Sequence, residues 1–139
     1  MLKNFGINRK AWFVVALPAL AASVWGVLHP EIYHEVAAEN VIPGMISQDL
    51  ITIVASVALL LFSLLKIRNS KVQIIPLSLL AYLFYGYAIY GLEQIYNSWY
   101  IVYLAIMALS FWALIYGLLS LHTKVIHLLQ PASWIKFLT

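Results

Sequence analysis

The sequence predicts an all-α membrane protein with four transmembrane helices. Only 9% of its 139 residues are charged and 64% are hydrophobic, whereas a soluble domain carries about 25% charged residues. Four long apolar runs stand out, at Ala11–Leu28, Leu50–Leu65, Ile74–Leu92 and Trp99–Leu121. Each comes close to the roughly 17–25 residues that a spanning helix needs. These observations exclude a soluble enzyme, a nucleic-acid-binding domain and a disordered chain.

The four runs predict a single transmembrane domain that covers residues 1–139. Its spans are about 11–28, 50–65, 74–92 and 99–121, with an outer loop at 29–49 and a cytoplasmic interfacial tail at 122–139. The links between the last three spans are short, so these helices should be antiparallel neighbours. The expected architecture is an antiparallel up-down bundle.

Charge is segregated between the two ends of the predicted bundle. The cations on one side are Lys3, Arg9, Lys10, Lys66, Arg68, Lys71, Lys124 and Lys136, and the acids on the other are Glu31, Glu35, Glu39, Asp49 and Glu93. The positive-inside rule then predicts that the N and C termini are cytoplasmic. The membrane that we expect the protein to span is the cytoplasmic (plasma, or inner) membrane of a cell. The net charge of +3 therefore reflects topology, and the lipid bilayer is the expected partner rather than a nucleic acid.

The sequence lacks residue types that several kinds of chemistry need, and their absence argues against that chemistry. There is no Cys, which excludes a disulfide scaffold, a thiolate metal site and thiol redox chemistry. No His lies within a predicted span, which disfavours a haem-carrying subunit, and no Lys lies there to form a retinal Schiff base. The sequence therefore identifies no cofactor.

Polar and small residues fall on one face of each predicted helix. They are Ala19, Ala22, Ser23 and Gly26 on helix one, Asp49, Thr52, Ser56 and Ser63 on helix two, Ser78, Tyr82, Tyr85, Gly86, Tyr90 and Glu93 on helix three, and Tyr103, Ser110 and Gly117 on helix four. Such faces turn inward in a membrane bundle. Either they pack the helices together or they line a site.

Aromatic residues near the span ends predict interface belts. Trp12, Trp25, Tyr96, Trp99 and Tyr100 lie at these ends, where amphipathic rings anchor helices at the headgroup level. Tyr82 and Tyr85 lie deeper in their span. A phenol buried there needs a hydrogen-bond partner, so these two residues favour a polar site.

The sharper hypothesis is a polar site at the outer membrane edge, centred on two acids. Asp49 opens helix two and Glu93 closes helix three, and both share a face with other polar groups. The predicted ligand-binding residues are Gln48, Asp49, Thr52, Tyr82, Tyr85, Tyr90, Glu93 and Asn97. Such a cluster can bind a cation, relay a proton or hold a polar headgroup. The alternative is that Asp49 only caps helix two and Glu93 is a solvated helix end.

The outer loop offers candidate metal ligands. His29, Glu31, His34 and Glu35 combine ligand chemistry with helical spacing. They do not form an H-E-x-x-H motif. A short interfacial helix over 31–39, with Pro30 as its first helical residue, explains the same pattern.

A resemblance rests on three segments, S-Q-D-L-I-T-I-V at 47–54, Y-L-F-Y-G-Y-A-I-Y-G at 82–91 and N-S-W-Y-I-V-Y-L-A-I at 97–106. Over residues 47–110 the chain resembles a family of small, uncharacterised prokaryotic four-helix membrane proteins. The resemblance implies functional positions at Gln48, Asp49, Tyr82, Tyr85, Tyr87, Tyr90 and Asn97. Gly86 departs from the family pattern, which has a polar Asn between the tyrosines. The resemblance implies no activity.

Three functions are compatible with this outer polar site. The first is a module that binds a small lipophilic or cationic ligand, or an accessory subunit of a larger membrane complex. The second is a transporter or channel that works as a homo-oligomer and uses Asp49 and Glu93. The third is an intramembrane enzyme that acts on a lipid or quinone, with Asp49 or Glu93 as general base and Tyr90 or His34 as its partner.

Overall fold

The structure, a computed structural model, describes residues 5–67, 69 and 71–120, and every regular element in these residues is a helix. The elements are α1 (Phe5–Leu28), α2 (Glu31–His34), α3 (Ile42–Leu64), α4 (Ile74–Leu92) and α5 (Tyr100–Leu119). Helices α1, α3, α4 and α5 are each long and apolar enough to cross a membrane. The prediction of a multi-pass membrane protein with four candidate spans is confirmed.

The four long helices form an antiparallel bundle. Helix α1 packs on α3 and α5, and α4 packs on the same two helices. Helices α1 and α3 run in opposite directions. Arg9 near the start of α1 contacts Ser63 at the end of α3, and Gly26 near the end of α1 contacts Asp49 in the first half of α3. The bundle centre is filled by aliphatic side chains such as Leu59, Leu80 and Ile106, each fully buried.

Helix α1 starts earlier than the apolar run suggests and continues through Pro18. Its small residues Ala19, Ala22, Ser23 and Gly26 are all buried, so this face is a packing surface, as small residues allow close helix approach. Trp12 differs from its predicted role as a belt anchor. It is fully buried and its indole packs edge-on against Phe5, with ring centroids 5.7 Å apart.

Helix α3 begins at Ile42, well before the predicted start near Leu50. The loop predicted at 29–49 includes Pro43 and Gly44, yet proline is well accommodated in the first turn of a helix, where its missing N–H has no intrahelical partner. Ser47 Oγ donates to the Pro43 carbonyl at 2.8 Å. Asp49 therefore lies about two turns inside the helix, and the interpretation that it caps this helix is wrong.

The connections differ in form. The short helix α2 has Pro30 as its N-cap and only one turn, so the predicted helix over 31–39 is present only in its first part. The link between α4 and α5 is a tight turn in which Gln94 adopts a left-handed φ of 55°. Within this turn Asn97 Oδ1 accepts the backbone N–H of Trp99 at 2.9 Å, which satisfies a donor at the start of α5.

Charges in the described residues are segregated along the bundle, because the helix directions bring like charges to the same end. Arg9, Lys10, Lys66 and Lys71 lie where α1 and α4 begin and α3 ends, whereas the five acids lie toward the α2 end. The predicted interfacial tail at 122–139, with Lys124 and Lys136, lies outside the described residues, as do Lys3 and Arg68.

Candidate functional site

The site is centred on the buried carboxyl group of Asp49. Helix α3 carries Asp49 on the same face as Thr52 and Ser56, and that face packs into the bundle. Only 2% of the Asp49 surface is exposed. A buried carboxyl is costly unless it is hydrogen-bonded or paired with a cation, so the groups around Asp49 determine what the site can do.

Two phenols donate hydrogen bonds to this carboxyl group. Tyr33 Oη donates to Asp49 Oδ2 at 2.5 Å, and Tyr90 Oη donates to Asp49 Oδ1 at 3.2 Å. Tyr90 Oη also lies 3.4 Å from the Met45 carbonyl. Each such bond to a charged acceptor contributes about 1.5–3 kcal/mol. Asp49 thus joins three elements, because Tyr33 comes from α2 and Tyr90 from α4.

Gly26 forms the wall of the site on the α1 side. A Cβ at this position would contact both Asp49 Oδ2 and Tyr33 Oη, the latter at 2.5 Å. Only a glycine leaves room there for the hydrogen-bonded pair. At the end of α1 nearest α2, the small-residue pattern therefore leaves room for a buried carboxyl and a phenol.

Tyrosine rings surround the carboxyl on the α4 and α5 side. The Tyr90 ring packs edge-on against Tyr103, with centroids 5.1 Å apart, and against Tyr87 at 5.8 Å. The Tyr33 ring lies 6.2 Å from that of Tyr90. We refer to Tyr33, Tyr87, Tyr90 and Tyr103 as the tyrosine cluster. All four side chains are buried, with at most 3% exposure.

Hydrogen bonds from outside the site hold this cluster in place. Tyr87 Oη donates to the Ala19 carbonyl of α1 at 3.2 Å. Asn97 Nδ2 donates to Tyr103 Oη at 3.1 Å, so the same Asn that accepts the Trp99 N–H ahead of α5 also orients a tyrosine. Asn97 therefore positions the cluster without contacting the carboxyl.

A second polar layer lies beside Asp49 along α3. The Gln48 amide packs against Gly86 of α4, where a Cβ would approach Nε2 to 2.7 Å. Thr52 Oγ1 and Tyr82 Oη are 3.4 Å apart. Gly86 thus makes space for the Gln48 side chain, which explains why a larger polar residue is absent between the flanking tyrosines.

Two predicted site residues lie apart from this cluster. Glu93 is the C-cap of α4 and its side chain is exposed, unlike that of Asp49. Tyr85 is 65% exposed on the outer surface of α4. The structure therefore brings together Asp49, Tyr90, Gln48, Thr52 and Tyr82, with Asn97 behind them.

The candidate metal ligands in the segment between α1 and α3 also lie apart from Asp49. His29 Nδ1 is 2.9 Å from Glu31 Oε1, while His34 and Glu35 are exposed. No group of three or more potential metal ligands occurs within residues 5–67, 69 and 71–120. The pKa of Glu31 is lowered by a backbone hydrogen bond and then by the His29 contact, so this carboxylate is ionised at neutral pH.

The site residue that sequence reasoning missed is Tyr33. The sequence analysis assigned the neighbouring residues His29, Glu31, His34 and Glu35 as candidate metal ligands. The group that contacts the Asp49 carboxyl is instead the Tyr33 phenol. The signal available was a tyrosine next to Ile32 on the apolar side of a one-turn helix. Burial, followed by the proximity of Tyr90 and Asp49, raises the pKa of the Tyr33 phenol far above its usual value, so it is a neutral donor.

The described residues provide no fixed cation for Asp49. Within them, the one ion pair joins His29 and Glu31. Arg9, Lys10, Lys66 and Lys71 lie toward the opposite end of the bundle. The Asp49 carboxyl is therefore held by neutral phenols. A cation that entered the site could pair with this buried carboxyl.

Comparison with protein-family models, with curated proteins and with solved structures found no match. The described residues contain four long apolar helices, which is consistent with a small four-helix membrane protein.

Proposed function

We propose that this protein is a small membrane-embedded binding module that takes up an organic cation at Asp49. The observation that carries the proposal is a carboxyl group with 2% exposure whose hydrogen-bond partners are two neutral phenols. Burying a carboxylate without a positive partner is costly. A bound cation would supply that partner, and the gain in pairing energy would drive its binding.

The tyrosine cluster favours an organic cation over a bare metal ion. Cations carried on apolar groups are attracted to the faces of aromatic rings, and desolvated contacts of this kind contribute about 2 kcal/mol. The rings of Tyr87, Tyr90 and Tyr103 pack against one another with centroids 5.1–5.8 Å apart. Displacement of Tyr33, whose ring lies 6.2 Å from that of Tyr90, would uncover the Tyr90 ring for such a contact. A quaternary or tertiary ammonium group combines the charge that Asp49 needs with the apolar surface that the rings need.

Tyr33 is the proposed cover of the site. It comes from the one-turn helix α2, outside the four long helices, and its hydroxyl occupies Asp49 Oδ2. An entering ammonium group must displace this phenol, because Gly26 leaves no space on the opposite side. We therefore expect α2 to move outward on binding while the four long helices stay in place.

The test compares choline with its neutral isostere 3,3-dimethylbutanol by titration calorimetry of the purified protein in lipid nanodiscs. We expect choline to bind and the neutral isostere to fail. Asp49→Asn keeps the size of the side chain but removes its charge, and should weaken choline binding by at least about 30-fold, as for other buried charge pairs. Glu93→Gln is the matched control, because Glu93 is an exposed acid beyond the end of α4.

Either of two results would contradict the proposal. One is equal binding of choline and the neutral isostere, which would show that charge is not recognised. The other is choline binding that Asp49→Asn reduces no more than Glu93→Gln does, which would show that the buried carboxyl does not pair with the cation. Both variants are first checked for native elution on size exclusion, so that a folding defect is not read as a binding defect.

We further propose that the Asp49 end faces outward across the cytoplasmic membrane, with both termini in the cytoplasm. The support is the positive-inside rule applied to the segregated charges. The chain has no Cys, so single-cysteine variants test this cleanly. An impermeant maleimide added to intact cells should label Glu39→Cys and leave Lys66→Cys unlabelled; the reverse pattern would overturn the orientation.

A transport role is the second candidate, favoured by polar groups that continue inward from Asp49. Thr52 contacts Tyr82, and one turn further Ser56 Oγ is buried with no hydrogen-bond partner among the described residues. Uptake of labelled choline into proteoliposomes tests this role. Transport predicts that Thr52→Val slows uptake while equilibrium binding persists; binding without any uptake would leave only the binding module.

A further inference from the structure

Two apolar grooves lie at the end of the bundle opposite Asp49, one on each side of the first turns of α1. The groove between α1 and α3 has a volume of about 550 Å³ and includes Phe13 and Leu64. The groove between α1 and α5 has a volume of about 360 Å³ and includes Leu109 and Trp112. Both volumes fall within the range of about 300–1,000 Å³ that is typical of small-molecule sites.

Lys10 and Val14 line both grooves. They are four residues apart on α1, so they form one ridge along the helix surface. Lys10 is exposed, and Val14 is 51% exposed. The ridge thus carries a cation near the start of α1, an apolar side chain one turn further along the helix, and an apolar groove on either flank.

Arg9 adds a second positive charge that the fold holds in place. Its Nε donates to the Ser63 carbonyl at 2.7 Å and its Nη2 donates to the Leu64 carbonyl at 2.9 Å. These carbonyls belong to the last turn of α3, where a cation is favoured by the helix dipole. Arg9 also lines the larger groove, so that groove ends at two cations.

We propose that a two-chain anionic phospholipid binds astride this ridge, with its phosphate at Lys10 and one acyl chain in each groove. The charge complementarity comes from Lys10 and Arg9, and the two-groove shape matches a ligand with two chains. Helices α1, α3 and α5 are candidate membrane spans, so the grooves face lipid and acyl chains are available to fill them. This site is independent of the one at Asp49.

The proposal is tested by native mass spectrometry of the purified protein with phosphatidylglycerol and with phosphatidylcholine of the same chains. We expect one phosphatidylglycerol to be retained in preference to phosphatidylcholine. Lys10→Gln should reduce that preference about fivefold, the effect of one surface cation on an anionic lipid. Lys66→Gln is the matched control, because Lys66 is an exposed cation of the same end that lines neither groove.

A second variant tests the grooves separately from the charge. Val14→Phe narrows both grooves without altering any charge, so it should weaken retention of both phospholipids equally. Glycerol phosphate carries the headgroup charge without chains and should not displace the bound lipid. Equal retention of the two phospholipids by the unmodified protein, equal effects of Lys10→Gln and Lys66→Gln, or displacement by glycerol phosphate would each overturn the proposal.

Discussion

Replacing Gly26 by alanine is expected to break the contact between Tyr33 and Asp49. The added Cβ would contact both Asp49 Oδ2 and Tyr33 Oη, and these two atoms are the acceptor and donor of one hydrogen bond. The backbone of α1 cannot retreat without losing its close approach to α3, since small residues define that interface. The Asp49 carboxyl and the Tyr33 phenol must therefore both shift, because the Cβ would approach each of them too closely.

The expected cost follows from three contributions. Overpacking a tight site costs about 1–3 kcal/mol, and a hydrogen bond to a charged acceptor is worth about 1.5–3 kcal/mol. Alanine regains up to about 1 kcal/mol of helix propensity relative to glycine. We therefore expect Gly26→Ala to lower the free energy of unfolding by about 1.5–5 kcal/mol.

The assay is reversible unfolding in mixed micelles, followed by tryptophan fluorescence. Gly44→Ala is the matched control, because it is also a helical glycine but a Cβ there would meet nothing within 4 Å. It should be neutral or stabilising by up to about 1 kcal/mol. Tyr33→Phe removes one of the two atoms that the Cβ would meet, so the double variant should be less unstable than the two single effects summed.

Equal stability of Gly26→Ala and Gly44→Ala would refute this reasoning. It would mean that the Tyr33 phenol and the Asp49 carboxyl do not meet beside Gly26. Full additivity of Gly26→Ala and Tyr33→Phe would contradict it as well, because both changes act on the same hydrogen bond.

Three further predictions concern single hydrogen bonds and pH. Tyr87→Phe should cost about 1 kcal/mol of unfolding free energy by removing the bond to the Ala19 carbonyl. Arg9→Gln should cost about 0.3–1 kcal/mol in low salt and less in high salt, and hydrogen exchange should show faster opening of the last turn of α3, where Arg9 binds. The raised pKa of Tyr33 means that the unfolded chain loses this proton above about pH 10 while the folded chain keeps it. The unfolding free energy should therefore fall above that pH. The slope of this free energy against pH should be shallower in Tyr33→Phe by up to about 1.4 kcal/mol per pH unit.

The four long helices could be predicted from sequence because hydropathy dominates their formation. A chain in lipid must satisfy its backbone groups internally, so runs of about 20 apolar residues become helices. The start of α3 could not be predicted in the same way. Pro43 and Gly44 indicate a loop on propensity, but the first turn of a helix tolerates both, and packing against α1 decides the outcome.

The candidate site was predictable in part. Helical spacing correctly grouped Asp49 with Thr52, and Tyr90 with Tyr82, because each pair shares a helix face. Tyr85 lies about 140° around α4 from Tyr90, which places it outside the bundle, with 65% exposure. The predicted polar face that includes both Tyr85 and Tyr90 is therefore so wide that it covers part of the core and part of the lipid-facing side of α4.

Tyr33 and Glu93 show why the rest could not be predicted. Tyr33 reaches Asp49 only because the segment between α1 and α3 folds back over the bundle. No periodic pattern in the sequence indicates this tertiary contact. Glu93 shares a helix face with Tyr90 in projection, yet it lies just beyond the end of α4. A side chain at a helix end can turn toward solvent, so projection alone does not determine its partner.

The most direct test of the central claim is the difference infrared spectrum of the protein with and without choline. In the proposed binding step, the ammonium group displaces the Tyr33 phenol and pairs with the Asp49 carboxyl. We expect choline to change a carboxyl band, and we expect this change to be absent from Asp49→Asn and present in Glu93→Gln. Saturation with choline that leaves every carboxyl band unchanged, or a band change that persists in Asp49→Asn, would contradict the proposed binding step.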